Sequence, residues 1–194
     1  MGRRADEEKG YRMSDTSRPF AAIVMGPSGV GKTTTAKGVA DRLGWQFAEG
    51  DEFHPKANID KMSAGIPLDD EDREPWLRSI RDWISDKSDA GLNCVLTCSA
   101  LKKRYRDILR EARAEVLFIE LDAPIDLVGE RMAHRKGHYM PTSLLKSQFD
   151  TLEPLEAEEV GIVVSVQDTP ENVIEDAVEA LQKAGAKPAG PTVA

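Results

Sequence analysis

A chain of 194 residues, 40% apolar and 31% charged, has the length and makeup of one globular domain. Its net charge of −8 argues against nucleic acid as the main partner, because binding a phosphate backbone takes a basic face. No apolar run approaches the roughly 18–20 residues that span a bilayer, and residues 1–18 hold no signal-peptide core, so no membrane partner and a cytoplasmic location are expected.

Residues 1–18 are polar, charged and without periodicity, which reads as a disordered leader, with Met13 as an alternative start. Phe20–Met25 is a buried-strand pattern, and the helix after it places Ala36, Val39, Ala40 and Leu43 on one face. A short strand near Trp45–Ala48 leads into a polar, proline-containing stretch from Asp51 to Asp72. A helix is expected from about Glu74 to Ala90, with Trp76, Ile80, Trp83 and Ile84 as its apolar stripe. Strand 92–98 follows, then a helix from about Leu101 carrying Tyr105, Ile108, Leu109 and Ala112. Val116–Leu121 is a fourth strand, and helix 124–134 runs into the basic segment His134–His138. Helix 141–150, strand 160–166 and a last helix complete the order. That last helix has Thr169 at the N-cap and Pro170 at its first position.

Strands apolar on both faces, alternating with amphipathic helices, give an α/β domain with a parallel sheet of about five strands flanked by helices. Residues 19–183 form this single domain, and 184–194, rich in Ala, Gly and Pro, form a flexible tail. Cys94 and Cys98 share one side of a strand and read as core packing. Residues four apart on a strand are too distant for a disulfide, and no Cys or His neighbours suggest a metal.

The first strand runs directly into Gly26-Pro27-Ser28-Gly29-Val30-Gly31-Lys32-Thr33, a complete GxxxxGK[ST] phosphate loop. Gly26, Gly29 and Gly31 allow the backbone angles that aim successive N–H groups at phosphate oxygens. A helix beginning at Lys32 adds the partial positive charge of its N-terminus, with Thr34 in the same first turn. Lys32 is placed to reach the β- and γ-phosphates, and the Thr33 hydroxyl to ligate Mg²⁺. These residues bind nucleotide, with ATP and Mg²⁺ as the expected cofactors. No guanine-reading Asn-Lys-x-Asp motif is present, and strand 92–98 does not end in the aspartate that many ATPases use for Mg²⁺. A short chain with acidic residues after the second strand and a basic segment near the end fits a small-metabolite kinase.

Phosphoryl transfer to a hydroxyl takes an oriented acceptor, neutralised phosphate charge and a proton acceptor. Asp51, just past the second strand, is the candidate proton acceptor. Arg73 is suited to a bidentate carboxylate contact, with pairing to Asp70 or Asp72 as its alternative. His54, Lys61 and Arg106 are further candidate donors to an acceptor. Met62, Trp76 and Trp83 read as core. In the acidic run Asp69–Asp72, a solvated start to a helix, Asp72 is the member expected to point inward.

Three segments carry a resemblance: Asp51-Glu-Phe-His54-Pro through Arg73-Glu-Pro75-Trp76-Leu77, Cys98-Ser-Ala-Leu-Lys102 through Asp107, and Arg135-Lys-Gly-His138 with Ser147-Gln148-Phe149. Together they strongly resemble the bacterial-type gluconokinases over about residues 20–168. The resemblance implies a P-loop NTPase three-layer fold like that of shikimate and nucleoside monophosphate kinases, with a lid segment. It implies phosphorylation of D-gluconate at its 6-hydroxyl, feeding carbohydrate acid catabolism through the pentose phosphate or Entner–Doudoroff route. It also implies that Arg131 lies near the adenine and Arg135 near the β/γ-phosphates as a catalytic lid residue with Lys32 and Asp51, with His138 at the lid tip, and it suggests a homodimer. Position 49 is glutamate where some members carry aspartate, which leaves open whether Glu49 or Asp51 completes the Mg²⁺ shell. A kinase for shikimate or another aldonate is the alternative enzyme, and a non-catalytic nucleotide-binding protein is the alternative of another class.

Overall fold

The computed structural model describes residues 17–135 and 142–190. Five strands, β1 (Phe20–Met25), β2 (Gln46–Glu49), β3 (Cys94–Thr97), β4 (Glu115–Asp122) and β5 (Gly161–Ser165), form one parallel sheet in the order β2-β3-β1-β4-β5. The helices are α1 (Lys32–Leu43), α2 (Lys56–Ser63), α3 (Asp70–Asp89), α4 (Lys103–Arg110), α5 (Ile125–Ala133), α6 (Thr142–Thr151) and α7 (Pro170–Lys183).

The period-2 alternation of each strand sorts its side chains between two cores. Ala22 and Val24 of β1, Val95 of β3 and Leu117, Ile119 and Leu121 of β4 pack beneath α1 and α7. Ala21, Ile23 and Met25, with Cys94, Leu96 and Phe118, pack on the other face beneath α3 and α4. The result is the expected three-layer α/β fold. β1 lies in the middle of the sheet, with β3 and β4 beside it. The chain moves from β1 to β2 on one side and later crosses from β3 to β4 on the other, so a crevice opens at the carboxyl end of β1.

Thr169 caps α7 through its hydroxyl, which accepts from the Asn172 amide, and Pro170 is the first helical residue, as the sequence indicates. Two elements differ from expectation. Residues 56–63 of the polar stretch form α2, held partly by its own tertiary bonds. Helix α3 begins at Asp70, four residues before the position its apolar stripe marks. Asp69 and Asp72 make a reciprocal capping box there, each side chain accepting from the other's backbone N–H, and this starts the helix upstream of Pro75. Cys94 and Cys98 are buried free thiols, and burial pushes both up to about 12, which keeps them inert. Met62, expected in the core, is 44% exposed. Residues 1–16 and 191–194, most of the expected leader and the end of the tail, lie outside the described residues.

Candidate active site

The phosphate loop leaves β1 at its carboxyl end. Gly26, Gly29 and Gly31 have φ of +141°, +82° and +99°, angles that L side chains rarely adopt, and Gly31 is the N-cap of α1. The loop is gripped from two sides. The Gly26 N–H donates to the Ser99 carbonyl at 3.2 Å, and a Cβ on Gly29 would lie 2.8 Å from the Met132 side chain on α5. Val30 is buried in the core, whereas Thr33 and Thr34 are exposed on the first turn of α1.

Lys32 folds back over the loop, its amine donating to the carbonyls of Gly26 at 3.0 Å and Pro27 at 2.9 Å. Burial lowers its pKa, while the negative charges of Asp51 and Glu49 pull the other way. Lys32 and the two carboxylates therefore share one small region at the crevice. The Ser28 N–H donates to Gln148 Oε1 at 2.7 Å, which joins α6 to the loop. Arg131 donates to the Val166 carbonyl at 2.8 Å and lines a pocket with Val30, Gly31, Thr34, Val166 and Asp168, directly beside the start of α1. Arg135, one turn further on, is exposed. His138 lies outside the described residues.

The acceptor side begins where β2 ends. Glu49 accepts from the Thr97 hydroxyl at 2.6 Å, and the same hydroxyl accepts from the Gly50 N–H at 3.1 Å. A Cβ on Gly50 would lie 2.0 Å from the Thr97 carbonyl, so only glycine lets the chain pass this close to β3. The Gly50 carbonyl accepts from the Trp76 indole at 2.7 Å. Strand β3 and helix α3 thus fix the short 3-10 turn Gly50–Phe53, which presents Asp51 to solvent at the crevice.

His54 follows, half-buried, stacked on Trp76 with centroids 4.3 Å apart. Burial lowers its pKa, Asp51 opposes that shift, and Arg73 adds to it. Both charges therefore lie near the ring. The expected alternative for Arg73, a pairing with Asp70 or Asp72, is not what the structure shows. Asp70 accepts from the Tyr105 hydroxyl, Lys102 and Arg104, and both Asp72 oxygens accept from Lys61 at 2.8 Å. Arg73 makes one long bond from Nε to the Leu68 carbonyl, at 3.4 Å, lies over the Tyr105 ring, and has no ion pair among the described residues. Its guanidinium is uncommitted among the described residues and, like Asp51, acts by charge on His54. Lys61 is partly neutralised by Asp72, which raises the Lys61 pKa through a side-chain hydrogen bond. Asp72 is 18% exposed at its side chain, and its carboxylate is taken by Lys61 and the Asp69 N–H.

Arg106 does not belong to this group, which corrects its expected role as an acceptor-binding residue. It is 0% exposed, and its guanidinium is spent on Glu159 at 2.7 and 2.9 Å, on the Ala100 carbonyl at 3.0 Å and on more distant carbonyls. The sequence offers it only as a further donor to the acceptor, and tertiary contact shows it on the buried side of α4. Its contacts fasten the turn after β3, where Ala100 has φ of +43°, to the 154–159 loop. Thr97 and Gln148 are the residues the sequence left without a role. Gln148 stood in the resembling segment, and Thr97 occupies the strand end noted for lacking an aspartate.

A family model described as an AAA domain matches residues 22–155. The chain is 47% identical over 165 residues to a gluconokinase of Gluconobacter oxydans, covering 85% of this chain and 93% of that one. A solved sugar kinase from Janibacter sp. HTCC2649 superposes with a TM-score of 0.79 at 51% identity, covering 86% of this chain and 95% of the other. A solved gluconokinase from Sinorhizobium meliloti gives 0.78 at 39% identity, covering 87% and 95%.

Proposed function

The chain belongs to the gluconokinase family of P-loop kinases, and from that premise we propose that it transfers the γ-phosphoryl group of ATP to the 6-hydroxyl of D-gluconate. The observation that carries the reading is the complete phosphate loop at the carboxyl end of β1, with Lys32 folded over it within the influence of Asp51, and an Arg73 that has no ion pair among the described residues. The loop amides and Lys32 bind the phosphates and offset the charge that spreads over the transferring group. Asp51 accepts the proton of the attacking hydroxyl, and Arg73 receives the gluconate carboxylate through two parallel hydrogen bonds. His54 and the outer cation Lys61 contact the polyol. Arg131 borders the nucleotide beyond its phosphates, and Arg135 closes over the β/γ-phosphates from the lid.

Mg²⁺ neutralises phosphate charge when bound. Among the described residues no group of three His, Cys, Asp or Glu stands ready to hold a metal. The exposed Thr33 hydroxyl would hold it, with Glu49, whose carboxylate accepts from Thr97, or Asp51 completing the shell. Cytoplasmic location and homodimeric assembly complete the reading, checked by cell fractionation and light scattering.

Coupled ADP release with a panel of sugar acids and shikimate tests the substrate. Gluconate is expected to give the highest kcat/KM. A preference for another acid would move the assignment within the fold, and ADP release that ignores every acceptor would end it.

A further inference from the structure

His54 and Asn58 form a pair whose chemistry can be read from donors and acceptors alone. Asn58, in the first turn of α2, is 2% exposed. Its Nδ2 lies 2.9 Å from the Asp72 carbonyl and 3.2 Å from His54 Nδ1. A backbone carbonyl only accepts, so the side-chain atom beside it must be the NH₂ end of the amide, whichever way the amide is drawn. That NH₂ only donates. His54 Nδ1 must therefore present its lone pair, and the ring proton resides on Nε2.

Every neighbour acts on the same ring. Trp76 of α3 stacks on it at an interplanar angle of 16°, and the Trp76 indole N–H is already held by the Gly50 carbonyl. Asp51 approaches from the 3-10 turn and Arg73 from α3. A second ring proton would set N–H against N–H at Asn58, in a half-buried place beside Arg73, with Asp51 alone favouring it. Nε2 has no partner among the described residues and is not sealed from solvent, so its N–H is available at the crevice.

Resting on the gluconate reading for the identity of the acceptor, we propose that Asn58 is a positioning residue that holds His54 as a neutral Nε2–H donor to an acceptor hydroxyl oxygen, leaving the proton of transfer to Asp51. His54 thus recognises the polyol and takes no part as a base, and sugar-acid affinity does not follow a histidine titration through neutral pH.

The test joins a spectrum to kinetics. Long-range ¹H–¹⁵N correlation of the histidine-labelled protein, without substrate, separates the two neutral tautomers and the imidazolium, and His54→Gln assigns the signal among the three histidines. The wild type should show the Nε2–H form at pH 7 and retain it below pH 6.5. Asn58→Asp replaces a donor by an acceptor, so the ring should gain a proton on Nδ1 and hold its charge to higher pH. The KM for gluconate should rise roughly tenfold, the worth of about one hydrogen bond, and kcat/KM should gain a dependence on pH near neutrality. The KM for ATP should stay within about twofold. An Nδ1–H or charged His54 in the wild type overturns the proposal, whether or not any variant folds. So does an Asn58→Asp enzyme with unchanged KM and profile. If the wild type shows the Nε2–H form but ignores gluconate, the substrate reading fails and the tautomer assignment stands.

Discussion

The proposed nucleotide side of the crevice is built from backbone: three glycines with positive φ and the first turn of α1. The proposed acceptor side is built from residues that are each held by a neighbour. Gly50 is held by Thr97 and Trp76, His54 by Asn58 and Trp76, and Lys61 by Asp72. A backbone cradle is specified by eight consecutive residues and suits any nucleoside triphosphate. An acceptor pocket assembled from β2, β3, α2 and α3 can be retuned one contact at a time, which is where substrate choice belongs in this fold.

The comparison can be broken most sharply at Lys32. Lys32→Ala should reduce turnover below detection while the melting temperature holds, because the side chain points at the loop and not into either core. Near-wild-type rates would show that the cradle does not carry the reaction. Asp51→Asn comes next. It keeps the side chain's size but cannot take a proton, so kcat should fall about 10²- to 10⁴-fold with ATP binding preserved. A loss confined to ATP affinity would move Asp51 to the nucleotide side.

Arg106→Ala separates both sides from the scaffold behind them. Removing one partner of a buried ion pair costs about 3–5 kcal/mol, so the variant should unfold at much lower denaturant concentration while the folded fraction keeps its KM for both substrates. Glu159 gives the same network a pH signature. Burial works against its charged form, but the bonds from Arg106, the Glu156 amide and Arg110 outweigh this and take the carboxyl down to about 2. Its folded value lies below the ordinary 4.5, so the stabilisation is complete above that pH and fades as pH falls toward about 2. Acid unfolding of Glu159→Gln should lack that dependence.

Arg73→Lys has the smallest expected effect and the most specific one. A lysine keeps the charge but not the two-pronged geometry, and charge-assisted bonds are worth about 1.5–3 kcal/mol each. The KM for gluconate should rise roughly tenfold or more, with the KM for ATP unchanged. The corresponding alditol, which has no carboxylate, should be used poorly by the wild type and hardly worse by the variant. Equal losses on both would make Arg73 structural.

The two sides also differed in how far they could be read in advance. β1, the loop and α7 announce themselves through contiguous signals: an apolar run, a glycine pattern, a Thr-Pro cap. Helix α2 does not, since Ile59 and Met62 are exposed and its one buried residue is the polar Asn58. The sequence places the start of α3 near Glu74, although the acidic run Asp69–Asp72 reads as a helix entry, because the apolar stripe begins only at Trp76. Arg106 was misplaced because a buried arginine and a substrate-binding arginine look alike until Glu159, 53 residues away, comes beside it. Asp51, His54 and Arg73 could be named as candidates, but only tertiary contact gives Arg73 no ion pair among the described residues and sets the Asn58 amide against the His54 ring.

The central claim is that the crevice delivers phosphate to the terminal hydroxyl of a sugar acid whose carboxylate Arg73 holds. Carbon-13 NMR of the product from gluconate and Mg·ATP tests it directly. A single product is expected, with phosphorus coupling at C6 and C5, formed with one ADP per gluconate consumed. Phosphorus coupling at a secondary carbon, or at the carboxyl carbon, would contradict it.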